Sequence, residues 1–479
     1  MTHRQGMEIA ASIVTFAAVI SPYPAAAHAF GQRYDLPVPL ALYVTGAGAT
    51  VALSFAVMAL FMRRQGDALP SAEIDLSDTA AGRAMCSPLV TGLLRIIFAG
   101  LFLLVVVAGF IGVDNPQRNI APVTVWIVGW IGVAYISALF GDLWSLVNPW
   151  STIYRWVVRD SDRVREYPAW LGMWPAIVLF WTFACLELVS ESGESPRQLA
   201  FLIIMYSAVT WGGMAVFGPR AWLSNGEAFS AIFSLFGRFA PLGQGRRGRL
   251  VLRPPAVGLL TENPVSFTCT VFVLLILSTV TFDGFLETPA WAGLLQDLLA
   301  GPAAQAMTEF GLNPLKTIKT LAMLAFLLGF IGVYLLCCHV MALAEAGASA
   351  SRLAGSFVLP LVPIAIAYHL AHYLSYLLIS GQAIIPLASD PFGFGWDLFG
   401  SADYRTDIGI IGARAVWYLS VASIVMGHLL AVYLSHRMAL RVFSTARAAR
   451  RSQAAMLALM VAYTMVSLWI LSQPVVSAG

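Results

Sequence analysis

Residues 363–378 read PIAIAYHLAHYLSYLL, an apolar and aromatic run that carries two histidines three positions apart. The run lies within a hydrophobic stretch at about 355–380, and an α-helix needs roughly 20 such residues to cross a bilayer. The stretch therefore predicts a transmembrane helix. It also raises the question of why a membrane segment carries two imidazoles on one face.

The composition extends this prediction to the whole chain. Of the 479 residues, 59% are hydrophobic and only 11% are charged, whereas soluble domains contain about 25% charged residues. We therefore predict an all-α fold, a polytopic integral membrane helical bundle of about ten transmembrane helices. The predicted spans are 39–62, 88–113, 120–142, 169–190, 199–219, 264–283, 318–343, 355–380, 411–435 and 454–472.

The positions of the basic residues predict how these spans are oriented. Clustered arginines follow the odd-numbered spans, and cytoplasmic loops are the ones that carry an excess of Lys and Arg. The loops after the even-numbered spans, such as 283–316 and 381–410, contain several Asp and few clustered Arg. We therefore expect the even-numbered spans to run outward, in a bacterial inner membrane with the mature N-terminus in the periplasm. The basic loops contain Arg63, Arg64, the 155–165 segment, the 246–253 segment, Arg352 and the 437–451 segment.

The first 30 residues have a basic start, a short apolar stretch and small residues after two prolines. This pattern is typical of a secretory signal peptide. We predict a signal peptide over 1–27 and a single multi-span transmembrane domain over 28–479, while cleavage after Ala29 fits the same small-residue rule. Cleavage after Ala27 would leave His28 at the new N-terminus, where its amine and imidazole can bind a metal.

The connecting segments give further expectations. The stretches 141–156 and 225–239 combine Trp, Phe and Arg in a pattern that favours amphipathic helices in the membrane interface. The outer loop 284–316 can hold a further helix, whereas 389–407 is rich in Gly, Asp and aromatic residues. No phosphate-binding glycine motif is present, so the sequence argues against ATP-driven transport by this chain.

The two histidines of the opening stretch are the strongest candidates for chemistry. Counted at about 1.5 Å per residue, His369 and His372 lie roughly 21 and 25 Å from the inner end of their span, in the outer part of the bilayer. Residues at i and i+3 share a helix face, so two neutral imidazoles there can hold one divalent transition metal. Asp283, Glu187 and His28 can complete this metal site. The alternative is that each imidazole only hydrogen-bonds a neighbouring group.

The N-terminal block HAFGQRYDLPVPLALYVTGAGATVALSF at 28–55, together with YHLAHY at 368–373, is distinctive. In these features and in the ten-span layout, the chain resembles a group of polytopic bacterial membrane proteins named fenitrothion hydrolase, which includes the subunits of a membrane-bound organophosphate hydrolase. The resemblance implies hydrolysis of an aryl dialkyl phosphorothioate triester, with a second related membrane subunit as partner. The resemblance does not identify any catalytic residue in this chain.

Hydrolysis of organophosphorus triesters by a metal-activated water in the membrane is therefore the leading hypothesis. The expected partners are a lipophilic small-molecule substrate, the lipid bilayer and the related subunit, and no nucleic acid. One alternative is a permease for a transition metal such as copper, although the 16 methionines are scattered rather than arranged in runs. Another is a structural or assembly subunit whose histidines only pack.

Overall fold

Nine helices in the described part of the chain are long and apolar enough to cross a membrane. The computed structural model describes residues 39–61, 73–158, 165–190, 193–245 and 249–473, so the signal-peptide prediction and His28 lie outside the described residues. The nine helices match nine of the ten predicted spans and confirm the all-α, multi-pass membrane fold. Numbered by predicted span, the helices are α1 (Leu40–Phe61), α2 (Pro88–Ile111), α3 (Ile120–Phe140), α4 (Trp174–Leu188), α5 (Pro196–Phe217), α6 (Phe267–Leu286), α7 (Pro314–Ala342), α8 (Ala350–Ser389), α9 (Ala413–Val442) and α10 (Ala446–Ser472).

The fourth predicted span is shorter than expected. α4 has 15 residues, or about 22 Å of helix, against the roughly 30 Å of a bilayer's hydrocarbon core. The preceding residues, which we predicted to be helical from 169, form turns up to Met173, and Pro175 stands in the first turn of the helix. Phe180 and Ala184 of α4 are buried, whereas Val178 is 60% exposed, so one face of this short helix packs into the bundle and the other does not.

The eighth span, α8, is a broken helix. Pro360 and Pro363 cannot donate the backbone N–H of an i→i−4 hydrogen bond, which explains the first break. His369 and His372 lie in the middle piece, where both side chains are buried. The pieces are Ala350–Phe357, a 3-10 turn at Leu359–Leu361, Val362–Ile379, a second 3-10 turn at Ser380–Ala383, and Ile384–Ser389.

The third span, α3, contains a π-helical segment from Val123 to Gly132. π-helices are rare, occur mostly as short bulges within α-helices, and are frequently found at functional sites. This one carries Trp130, whose ring lies 5.2 Å from the ring of His369 in an edge-to-face arrangement. The segment therefore forms one wall around the predicted site.

Shorter elements join the spans. The expected helix in the loop 284–316 is present as two helices, and the 389–407 segment contains turns and bends after Ser389, as its composition favours. The shorter helices are Ala80–Met85, Trp144–Val147, Pro149–Val157, Pro219–Asn225, Ala228–Phe239, Pro289–Ala300 and Pro302–Glu309, with a 3-10 turn at Val257–Leu259.

A small antiparallel sheet joins two of the basic loops, where no strand was expected. Its strands β1 (Ile74–Asp75), β2 (Leu242–Gln244) and β3 (Leu250–Leu252) lie in the order β1-β3-β2, with Ile74 and Leu242 both opposite Leu252. Strands of two or three residues are too short to show an alternating pattern. Arg249 Nη1 lies 2.6 Å from Asp75 Oδ2 across the sheet, and this hydrogen bond lowers the pKa of Asp75.

The helix Ala228–Phe239 is buried, and our prediction that 225–239 lies in the membrane interface is wrong. None of its residues is exposed, whereas an interfacial helix keeps a polar face in water. The helix packs against α3, α4 and α8, and its Phe236 ring lies 6.2 Å from the ring of His369. Its aromatic residues therefore belong to the core that surrounds the predicted site.

Glu227 caps this buried helix from a fully buried position. Its Oε1 accepts the backbone N–H of Phe229 at 2.9 Å, and its Oε2 accepts that of Ser230 at 2.7 Å. Tyr206 of α5 also donates its hydroxyl to Oε1. A carboxylate at a helix N-terminus is favoured by the helix dipole as well. Glu227 thus attaches the buried helix to α5.

Replacing Glu227 by alanine should destabilise the protein by about 2–4 kcal/mol, because three buried donors would lose their acceptor. Glu227→Gln keeps one acceptor oxygen and should cost roughly half as much. Denaturant unfolding in detergent measures both values. Glu262→Ala, at an exposed carboxylate, is the matched control. Equal stability of the Glu227→Ala and Glu262→Ala proteins would show that the cap contributes nothing.

Three helices, α4, α6 and α8, run in the same direction. Near their amino ends, the backbone N–H of Met173 donates to Thr268 Oγ1 at 3.0 Å, which joins α4 to α6. The backbone N–H of Val265 donates to the carbonyl of Gly355 at 3.0 Å, which joins α6 to α8. These contacts set the register of the three helices.

The same register brings three of the predicted ligands to one level. Glu187 and Asp283 stand close to the carboxyl ends of α4 and α6, which end at Leu188 and Leu286. His372 follows the joined amino end of α8 by a similar number of residues. We therefore find the candidate residues gathered toward the end of the bundle that the charge pattern predicts to face outward.

Candidate functional site

His372 and Asp283 form the first contact of the site. The Nε2 atom of His372 lies 2.9 Å from Oδ2 of Asp283, and both side chains are largely shielded from solvent. A carboxylate beside an imidazole nitrogen fixes the orientation and tautomer of the ring. The contact joins α6 to α8 inside the bundle.

Tyr373 connects this pair to the second carboxylate. Its hydroxyl lies 2.5 Å from Oδ2 of Asp283 and 3.3 Å from Oε1 of Glu187. A phenol has one proton to donate, so the shorter contact with Asp283 is the principal hydrogen bond and the contact with Glu187 is the weaker one. One tyrosine thus holds two carboxylates from two helices side by side.

His369 lies one turn below His372 and has different surroundings. Its side chain is packed among the aromatic rings of Trp130, Tyr135, Phe236 and Tyr373, at centroid distances of 4.8 to 6.2 Å. The Tyr135 hydroxyl donates to the backbone carbonyl of His369, not to its ring. Within the described residues, neither ring nitrogen of His369 has a hydrogen-bond partner, although the residue is only 3% exposed.

A small cavity opens beside the His369 ring. Its polar lining comes from Glu187, Thr279, His369 and Tyr373, and Trp130 and Phe180 contribute to its apolar walls. The cavity leaves about 20 Å³ for a water-sized molecule, and a buried water needs about 10–15 Å³ by the same measure. There is room for one water molecule or one ion between an imidazole and a carboxylate.

The structure thus brings together four of the five predicted ligands. Asp283, Glu187, His369 and His372 are linked by direct contacts, by Tyr373 or by the shared cavity, whereas His28 lies outside the described residues. The two histidines do not have equal roles, because His372 contacts Asp283 and His369 faces the cavity. Among the described residues, no three His, Cys, Asp or Glu side chains are placed to hold one metal ion.

The cavity's other walls could not be predicted from the sequence. Trp130, Phe180 and Thr279 come from three segments far apart in the chain, and nothing in their local spacing distinguishes them from ordinary core residues. Trp130 was unpredictable for a further reason, because it lies in a π-helical segment whose turn differs from that of an α-helix.

His428 on α9 belongs to a different environment. It is fully buried, its Nδ1 lies 2.8 Å from the carbonyl oxygen of Ile424, and its ring lies 5.6 Å from that of Tyr463. It does not line the cavity at His369. His428 is therefore a suitable control for substitutions at the site.

Comparisons with protein-family models, with curated proteins and with solved structures gave no match. The class of the protein therefore rests on its fold and its site. It is a multi-pass α-helical membrane protein with a buried cluster of two histidines, two carboxylates and a tyrosine.

Proposed function

We propose that this protein is a membrane-bound hydrolase that activates one water molecule in the cavity between His369 and Glu187. The observation that carries the proposal is the His369 ring, which is buried without a hydrogen-bond partner among the described residues and faces a cavity that Glu187 also lines. An unpaired polar group in a membrane interior is costly, and a functional role is its default explanation. The substrate class, an organophosphorus triester of the fenitrothion type, comes from the sequence resemblance alone.

The roles of the residues follow from their contacts. The acceptor nitrogen of His369 would hold the water, and Glu187 would take its proton as the oxygen attacks phosphorus. A new P–O bond forms, the bond to the aryl oxygen breaks, and the aryloxide leaves with the electron pair. Tyr373 would keep Glu187 in place through its hydroxyl, and Asp283 would orient His372 beside them.

A divalent transition metal fits this cavity in part. The His369 nitrogen and the Glu187 carboxylate would supply two ligands, and the Tyr373 hydroxyl lies in the same lining. Catalytic metal sites keep positions open, whereas structural sites are closed by four protein ligands. When bound, such a metal would supply Lewis-acid polarisation of the phosphoryl oxygen. The His372–Asp283 pair would act behind it, as an outer contact.

The cavity also sets a requirement for this proposal. Its roughly 20 Å³ suits a water but not a triester. For the substrate to enter, α4 must therefore move away either from α8 or from the helix Ala228–Phe239. A lipophilic triester would arrive from the bilayer, and the related subunit implied by the resemblance would complete the binding surface. From the charge pattern, the site would face the periplasmic side of a bacterial inner membrane.

A second function, transport of a metal ion without catalysis, is favoured by the size of the cavity. An ion fits where a triester does not, and imidazole with carboxylate suits a first-row transition metal. A permease would move the ion across a membrane in sealed vesicles and would show no triester turnover. A hydrolase would show turnover without net ion movement.

Replacing either His369 or His372 by alanine should lower both bound metal and triester turnover. We expect the larger loss, about 100-fold or more in turnover, for His369→Ala, because His369 faces the cavity. His372→Ala should cost roughly 10- to 100-fold, since His372 acts through Asp283. Metal analysis and aryl phosphorothioate hydrolysis on the purified proteins measure both effects.

The control is His428→Ala, which should retain metal and turnover. The assays are run with and without the related subunit, and metal uptake into proteoliposomes is measured in parallel. If His369→Ala and His372→Ala keep wild-type metal content and turnover, the two rings only pack and the site lies elsewhere. Uptake without turnover in the wild-type protein would favour the permease.

A further inference from the structure

An arm of the chain between α8 and α9 lies at the end of the bundle opposite the basic loops. The arm comprises residues 394–410, of which all but Ser401 are exposed. Many of its large side chains are apolar, and exposed apolar patches mark surfaces that contact a protein or a membrane. Their exposed fractions run from 43% to 75%, and the residues are Phe394, Trp396, Leu398, Phe399, Ile408 and Ile410.

Polar side chains at the base of the arm hold its backbone. The carboxylate of Asp390 accepts two successive backbone N–H groups, beginning with that of Phe394, at 2.9 and 2.7 Å. Ser389 Oγ accepts the backbone N–H of Phe399 at 3.1 Å. The rings of Phe394 and Trp396 pack together with their centroids 5.6 Å apart. The arm is therefore held by polar groups from within and presents apolar side chains on its surface, the reverse of a loop that lies in water.

The contacts of Gln382 on α8 show how deep the arm reaches. Its Oε1 accepts the backbone N–H of Asp407 at 2.9 Å, and its Nε2 donates to the Asp407 carbonyl at 3.0 Å. The adjacent Gly381 packs on α3, where a Cβ on the glycine would lie 3.3 Å from Cγ2 of Ile127. Ile127 is seven residues, or roughly 10 Å, inside the end of α3 at Ile120. The returning limb of the arm thus lies below the end of this span.

This level decides what covers the arm. A protein in water would not reach side chains that lie below the ends of the spans, whereas lipids surround the spans there. Irregular backbone does not occur in contact with the hydrocarbon core itself. The remaining position is the boundary between headgroups and acyl chains, where tryptophan and tyrosine are enriched.

We infer that the arm 394–410 is embedded in the lipid headgroup region of this leaflet, with Phe399, Ile408 and Ile410 against the upper parts of the acyl chains. The attachment is apolar, because the arm contains three Asp and only one Arg and so has no attraction for anionic headgroups. The contact should therefore be insensitive to salt and to the charge of the lipid. It would fix the level of α8 and α9 in the membrane.

The test is the depth of labels attached to the arm of the full-length protein in phosphatidylcholine nanodiscs. A fluorophore is placed at Phe399→Cys, Ile408→Cys or Ile410→Cys, and Cys86→Ser removes the exposed native cysteine. Lipid with a nitroxide on carbon 5 of the acyl chain should remove more than about half of the fluorescence at each site, since an interfacial segment lies roughly 5–10 Å deep. Aqueous iodide should have little effect at these sites.

Gln117→Cys, at an exposed position in the α2–α3 connection, is the matched control and should show the opposite pattern. If one labelled variant does not enter nanodiscs, the other two sites give the answer. Quenching of the arm labels in the pattern of Gln117→Cys would place the arm in water and overturn the inference. Protection from both quenchers would overturn it as well, because a second copy of the chain would then cover the arm. Loss of nitroxide quenching in 1 M salt would contradict an apolar attachment.

Discussion

Glu187→Gln should lower triester turnover by about 100- to 10,000-fold, the range expected when a general base is removed. The amide keeps the size of the side chain and one oxygen for the Tyr373 hydroxyl, but it cannot take a proton from water at neutral pH. The fold should persist, because α4 is held by buried residues such as Phe180 and Ala184. Single-turnover hydrolysis, with bound metal measured on the same samples, separates loss of the base from loss of the ion.

Glu194→Gln is the matched control, since Glu194 is an exposed carboxylate a few residues further along the chain. It should leave turnover within about 2-fold of wild type, because surface substitutions away from special features have small effects. Turnover of Glu187→Gln within the same range would remove Glu187 from the mechanism. The water would then have to be activated by His369 alone.

Asp283→Ala should reduce the free energy of unfolding by about 3–5 kcal/mol, the cost of removing one partner from a buried polar pair. His372 Nε2 and the Tyr373 hydroxyl both contact Oδ2 of Asp283, so both would lose this acceptor away from water. Asp283→Asn retains a carbonyl oxygen and should cost about 1–2 kcal/mol. Denaturant titration in mixed micelles measures the two values.

Asp297→Ala, at an exposed carboxylate on the loop helix Pro289–Ala300, provides the comparison and should change stability by less than about 0.5 kcal/mol. A small effect of Asp283→Ala would mean that water reaches His372 and Tyr373 once the carboxylate is gone. Such hydration would contradict the dry packing that the contacts around Tyr373 describe.

The sequence predicted the membrane spans and the main polar residues, because both leave strong local signals. Nine spans were predicted from hydropathy. Asp283 and Glu187 were predicted to lie at the level of the two histidines by counting residues along helices that run in the same direction. The burial of Ala228–Phe239 did not follow, since several Phe and one Arg in a short helix suit both an interface and a core. The partners of each histidine were also beyond prediction, because they depend on how α3, α4, α6 and α8 meet.

The π-helical segment Val123–Gly132 has a consequence for which mutations the chain can accept. A helix with i→i+5 bonds turns about 80° per residue instead of about 100°, so ten residues accumulate a lag of roughly half a turn. Trp130 therefore faces His369, and Val133–Phe140 beyond it faces the buried helix Ala228–Phe239. Substitutions there alter one contact at a time. Loss or gain of a single residue would instead rotate Val133–Phe140 as a unit, so this segment should accept substitutions more readily than insertions or deletions.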